Sequence, residues 1–116
     1  MLFDAYTSPA LTLSNRCVMS PMTRNRAVDH NTPNALMARY YSQRATAGLI
    51  IAEATMAMAG NSAFWREPGI CSTAQIDGWA RVVQVQAIAQ VIRDAHARAS
   101  HHFELGDGHD SIEDYG

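Results

Sequence analysis

The segment Gly48-Leu49-Ile50-Ile51-Ala52-Glu53-Ala54 restricts the fold more than any other. From Leu49 to Ala52 it is apolar without alternation, and a carboxylate then interrupts it. A strand with one wet face alternates apolar and polar residues. An unbroken run is what a strand covered on both faces needs, and such strands belong to parallel sheets flanked by helices. Four apolar residues are far too few to cross a bilayer. Parallel neighbours cannot be joined by a tight turn, so a crossover helix must accompany the run.

A helix is available just upstream. Asn31-Thr32-Pro33-Asn34 reads as its start, with Thr32 as cap and Pro33 in the first helical position. From Ala35 to Ala45, Leu36 and Tyr40, and then Met37, Tyr41 and Arg44, recur at three- and four-residue spacing. Gly48 is suited to the C-terminal stop. Further upstream, Leu11-Thr12-Leu13 and Cys17-Val18-Met19 are split by Ser14-Asn15-Arg16, which predicts strand, turn and strand. Pro21 ends the second of these, having no N–H for a ladder. Residues 24–32 are polar and aperiodic, and 56–72 form a long loop carrying Phe64-Trp65. Ser72 or Thr73 caps a second helix, with Gln75 or Ile76 behind the cap. Its apolar residues Ile76, Trp79, Val83, Ala87, Ile88, Val91, Ile92 and Ala95 keep helical spacing out to Ala99. The order strand, helix, strand, helix is that of an α/β chain. A right-handed crossover then pairs 17–20 with 49–54 in parallel.

Composition narrows the function. With 47% hydrophobic and 17% charged residues the chain is globular, not disordered. The net charge is −2, all nine basic residues are Arg, and they form no basic stripe, so no nucleic-acid partner is expected. Cys17 and Cys71 form no C-x-x-C pair and are expected as reduced thiols. Met1-Leu2-Phe3-Asp4 has neither a basic segment nor an apolar run, so no membrane partner and a cytoplasmic location are expected. His101, His102, Asp107, His109 and Asp110 match no defined ligand spacing, and no metal is expected.

Ligands of α/β folds bind at the carboxyl ends of the strands. Here those ends carry Ser20-Pro21-Met22-Thr23 and Glu53-Ala54-Thr55. A hydroxyl donor beside a small side chain is suited to a flat ring; ordinary strand-end polar residues are the alternative.

The motifs carry a resemblance. Val18-Met19-Ser20-Pro21-Met22-Thr23-Arg24 resembles the first-strand motif of the old yellow enzyme family of FMN-dependent ene-reductases, which includes the N-ethylmaleimide reductases. Tyr40-Tyr41-Ser42-Gln43-Arg44-Ala45 and Ala47-Gly48-Leu49-Ile50-Ile51-Ala52-Glu53-Ala54-Thr55 resemble its first helix and second strand. Pro68-Gly69-Ile70-Cys71-Ser72, Gln75-Ile76 and Gly78-Trp79 resemble its next loop and helix. Leu2-Phe3-Asp4 and Leu11-Thr12-Leu13-Ser14-Asn15-Arg16 resemble the hairpin that closes the barrel floor.

The resemblance implies an N-terminal β-hairpin and the first β/α units of a (β/α)8 TIM barrel. It implies FMN as cofactor, NAD(P)H as electron donor, and an α,β-unsaturated small molecule as the substrate whose C=C bond is reduced. By the same resemblance Thr23 hydrogen-bonds the flavin ring, Pro21 and Met22 pack on it, Ala54 touches it, and Phe64 stands in the substrate wall.

A complete barrel needs about 200 residues or more, and this sequence has 116. The barrel is therefore expected to be incomplete. The family's substrate-binding His pair, its proton-donating Tyr and its flavin-phosphate Arg residues find no counterpart, so no catalytic residue is assigned. The resemblance divides the chain into 1–83, the N-terminal part of the barrel, and 84–116, a helix and tail. The latter reads either as a later family helix after an internal deletion or as an unrelated end. Two functions follow: an FMN-dependent ene-reductase, or a catalytically inactive fragment that self-associates through exposed strand edges.

Overall fold

The computed structural model describes residues 1–87 and Ala89. In chain order it contains β1 (Tyr6–Thr7), β2 (Thr12–Leu13), β3 (Val18–Met19), helix α1 (Ala35–Ser42), β4 (Leu49–Ile50) and helix α2 over 73–87. The strand–helix–strand–helix order is as expected. β3 and β4 pair in parallel, Val18 with Leu49 and Met19 with Ile50, and α1 makes the crossover.

The two N-terminal apolar runs do not pair with each other. β2 pairs antiparallel with β1, and Ser8 closes the turn: its Oγ donates to Leu11 O at 3.2 Å and accepts from Leu11 N at 3.1 Å. Asn15 separates β2 from β3. Its Oδ1 accepts from Cys17 N and Gly48 N, both at 2.9 Å, and its Nδ2 donates to Thr46 O at 2.8 Å. One side chain thus brings the starts of β3 and β4 together. Gly48 serves this approach and is not a helix stop, since a Cβ there would meet the Asn15 carbonyl oxygen.

Helix α1 also differs from expectation at both ends. Its cap is Asn34, not Thr32, so Pro33 precedes the cap instead of opening the helix. The amide group explains this: Oδ1 accepts from Met37 N at 3.1 Å while Nδ2 donates to Arg26 O at 2.7 Å. Beyond Ser42 the backbone tightens, with Arg44, Ala45 and Ala47 N–H groups bonding to carbonyls three residues back.

The core lies between the helices and the parallel pair. Ala27, Met37, Ala38, Tyr41 and Val82 are buried, with Met19, Ile50 and Trp79 packed against them. Met37, Tyr41 and Ala45 form the buried stripe at four-residue spacing, while Leu36 is exposed. The run after Gly48 is not covered on both faces. Ile50 packs on the core, but Ile51 is 45% exposed and Ala52 is exposed, because among the described residues β4 has one strand neighbour.

The 56–72 loop is tied down at both ends. Met56 N bonds Pro68 O at 2.8 Å, Gly69 N bonds Asn31 O at 2.7 Å, and Asn31 Nδ2 bonds Glu67 O at 2.7 Å. Ser72 is the cap of α2: its Oγ accepts from Gln75 N at 3.2 Å, and Gln75 Oε1 accepts in return from Ser72 N at 3.1 Å. Gly69 lies against the Gln75 amide, 2.6 Å from where a Cβ would stand to Cδ. Cys17 and Cys71 are free thiols. No described helix is long and apolar enough to cross a membrane. The expected continuation of α2 to Ala99, the later-helix identity of its end, and the His101–Asp110 cluster lie outside the described residues.

Candidate functional site

The site forms where β3 and β4 run out. The ladder ends at Met19 and Ile50, and four further residues along each segment lead to Thr23 and to Ala54. A hydrogen bond from Arg24 N to Glu53 Oε2 at 3.1 Å shows that the two segments are still in contact there. Thr23 and Ala54 are both half-buried, while Pro21 and Met22 beside them are exposed, Met22 by 44%.

Beneath this pair sits Glu53, only 4% exposed. The Tyr41 hydroxyl donates to Glu53 Oε1 at 3.0 Å and accepts from Glu53 N at 3.1 Å. One carboxylate therefore joins the end of β3, the end of β4 and helix α1. Burial, more than the adjacent carboxylate, pushes the Tyr41 hydroxyl well above the ordinary tyrosine range, so it stays protonated and can donate. The sequence singled out Glu53 only as a neighbour of Ala54, and Tyr41 only as part of a helical stripe. The pairing joins an acid in an apolar run to a tyrosine twelve residues back on the helix, a separation set by the crossover and not by either element's period.

The two strand-end threonines differ. Thr55 Oγ1 is engaged by Glu53 O at 2.9 Å, whereas the Thr23 hydroxyl makes no hydrogen bond among the described residues. Thr23 is thus a half-buried hydroxyl donor with no partner among the described residues, and the exposed Pro21 and Met22 precede it. The helix side of Glu53 offers a separate cavity of about 200 Å³ bounded by Arg24, Arg26, Arg39, Tyr40 and Glu53. The guanidiniums of Arg24 and Arg44 lie over the Tyr40 ring, at 5.4 and 4.0 Å. None of Pro21, Met22, Thr23 and Ala54 lines that cavity. Phe64 is 52% exposed and borders a different open cavity with Val28, His30 and Trp65.

The sequence profile of the NADH:flavin oxidoreductase / NADH oxidase family matches residues 1–98. A probable flavin mononucleotide-dependent alkene reductase of Leishmania infantum is 50% identical over 70 residues, 60% of this chain and 19% of that protein. The 12-oxophytodienoate reductase 7 of Oryza sativa subsp. japonica is 41% identical over 83 residues, 71% of this chain and 21% of that protein. Among solved structures, the old yellow enzyme homologue from Zymomonas mobilis superposes with a TM-score of 0.71 at 43% identity, covering 76% of this chain and 25% of that one. Morphinone reductase in complex with tetrahydroNAD gives 0.71 at 41%, covering 76% and 24%. The chain spans about a fifth of the length of the curated relatives it matches.

Proposed function

The chain belongs to the NADH:flavin oxidoreductase / NADH oxidase family, with old yellow enzymes among its relatives, and on that premise we propose that it serves FMN-dependent, NAD(P)H-driven reduction of activated C=C bonds. The β3–α1–β4–α2 order corresponds to the first units of a (β/α)8 barrel. Its strand ends contribute one wall of the flavin-ring site. When bound, FMN supplies the two-electron chemistry, with NAD(P)H as donor. The protein's share is placement. Thr23 presents its hydroxyl to the ring edge and so favours the redox form that carries more negative charge there. Ala54 leaves room for the ring face, and Pro21 and Met22 pack against it. Phe64 borders a separate open cavity with Val28, His30 and Trp65, and a substrate wall built on it would lie there.

The half-buried Thr23 hydroxyl, which has no hydrogen-bond partner among the described residues, carries this proposal. Flavin absorbance in the purified protein, together with NADPH oxidation that depends on an added enone, tests it. A second reading, an inactive self-associating fragment, is favoured by the half-exposed Ile51 on a strand with one neighbour among the described residues. It predicts colourless oligomers and no enone-dependent oxidation.

A further inference from the structure

We propose that Glu53 is the positioning residue of the strand-end site, itself held by Tyr41, and that it fixes the Thr23–Arg24 peptide so that the Thr23 hydroxyl faces the flavin ring in one orientation. The inference rests on the flavin assignment of the same site.

A buried carboxylate needs partners, and Glu53 has both oxygens engaged, Oε1 by the Tyr41 hydroxyl and Oε2 by Arg24 N. An N–H held in this way fixes the plane of the peptide it belongs to, and with it the ψ angle of Thr23. Side-chain rotamers depend on the backbone, so the direction of the hydroxyl follows. No hydrogen bond of Thr23 itself does this work among the described residues. Ala54 follows Glu53 directly in the chain, so the same clamp sets the other half of the pair. Tyr41 adds rigidity, because it also accepts from Glu53 N and lies in the core stripe of α1. Misplacement by about 1 Å far from the chemistry is enough to cost about a hundredfold in rate. A buried clamp behind the ring wall is therefore a means of control.

Glu53→Gln keeps the volume but leaves only one acceptor oxygen for two donors, and Tyr41→Phe removes the holder. The first measurement is made without flavin. Hydrogen exchange at the Arg24 amide is expected to rise at least tenfold in Glu53→Gln, and Thr23 couplings are expected to change from one rotamer to an average. The Gly48 and Gly69 amides, bonded to Asn15 Oδ1 and Asn31 O, serve as internal controls and stay protected. Unchanged exchange at Arg24, or equal acceleration at all three amides, overturns the proposal.

The second measurement is the flavin potential. Glu53→Gln is expected to move it in the same direction as Thr23→Ala, by about a tenfold change in relative affinity for the two redox forms, about 30 mV for a two-electron couple. The double variant adds little further. A wild-type potential in Glu53→Gln, with Thr23→Ala shifted, overturns the positioning role alone. A potential unmoved by Thr23→Ala, with Arg24 exchange accelerated in Glu53→Gln, overturns the flavin assignment and upholds the positioning role.

Discussion

Replacing Tyr41 by Phe removes one oxygen and leaves two buried groups without partners, the Glu53 N–H and its Oε1. Each unsatisfied buried group costs about 1–3 kcal/mol, more for a charged acceptor. The expected loss is therefore about 2–6 kcal/mol, a large fraction of the roughly 5–15 kcal/mol that holds a domain together. Tyr40→Phe is the matched control. Its ring stands edge-on to Tyr41 at 5.1 Å, yet its hydroxyl makes no hydrogen bond among the described residues. That change is expected to stay within about 0.5 kcal/mol. Urea unfolding followed by tryptophan fluorescence reports both, since Trp79 lies 6.1 Å from the Tyr41 ring. The sign of the pH effect follows from the raised titration point of Tyr41. The folded chain keeps a proton that the unfolded chain gives up, so stability is fully present below pH 10 and falls as pH rises above it. Between wild type and Tyr41→Phe the difference should shrink above that pH by up to about 1.4 kcal/mol per unit. Equal urea midpoints for Tyr41→Phe and Tyr40→Phe, or a difference that grows with pH, would refute the buried clamp.

Asn34→Ala removes the cap of α1 and the bond to Arg26 O, and is expected to lower stability by about 1–2 kcal/mol in thermal unfolding. Gly48→Ala forces a methyl into the Asn15 backbone and is expected to destabilise by about 1–3 kcal/mol, visible as a lower urea midpoint with loss of Cys17 amide protection. Thr23→Ala, whose hydroxyl has no partner among the described residues, is expected to leave the urea midpoint within about 0.5 kcal/mol of wild type.

The crossover was legible because an unalternating apolar run at Leu49 follows a helical stripe through Met37 and Tyr41, and β3 and β4 do pair in parallel with α1 between them. Local competition was less legible. Thr32 and Asn34 are both good caps, and Asn34 takes the role with Arg26 O, eight residues back in the chain, as a second partner for its amide. Gly48 reads as a helix stop until Asn15 is placed against it from a distant segment. Covered faces were overestimated at Ile51 because an apolar run records the environment the residues suit, while exposure depends on which neighbours are present. Of the site, Thr23 and Ala54 were visible as residue types at strand ends. The Glu53–Tyr41 bond behind them was not, since it depends on how α1 settles on β4.

Titration with FMN, followed by quenching of flavin fluorescence, tests the central claim most directly. Wild-type protein is expected to saturate at one flavin per chain. Thr23→Ala, with its fold intact, is expected to bind roughly two- to tenfold more weakly, as befits the loss of one hydrogen bond worth about 0.5–1.5 kcal/mol. No quenching by the wild-type chain, or identical binding by Thr23→Ala, would contradict the placement of the flavin ring against Thr23 and Ala54.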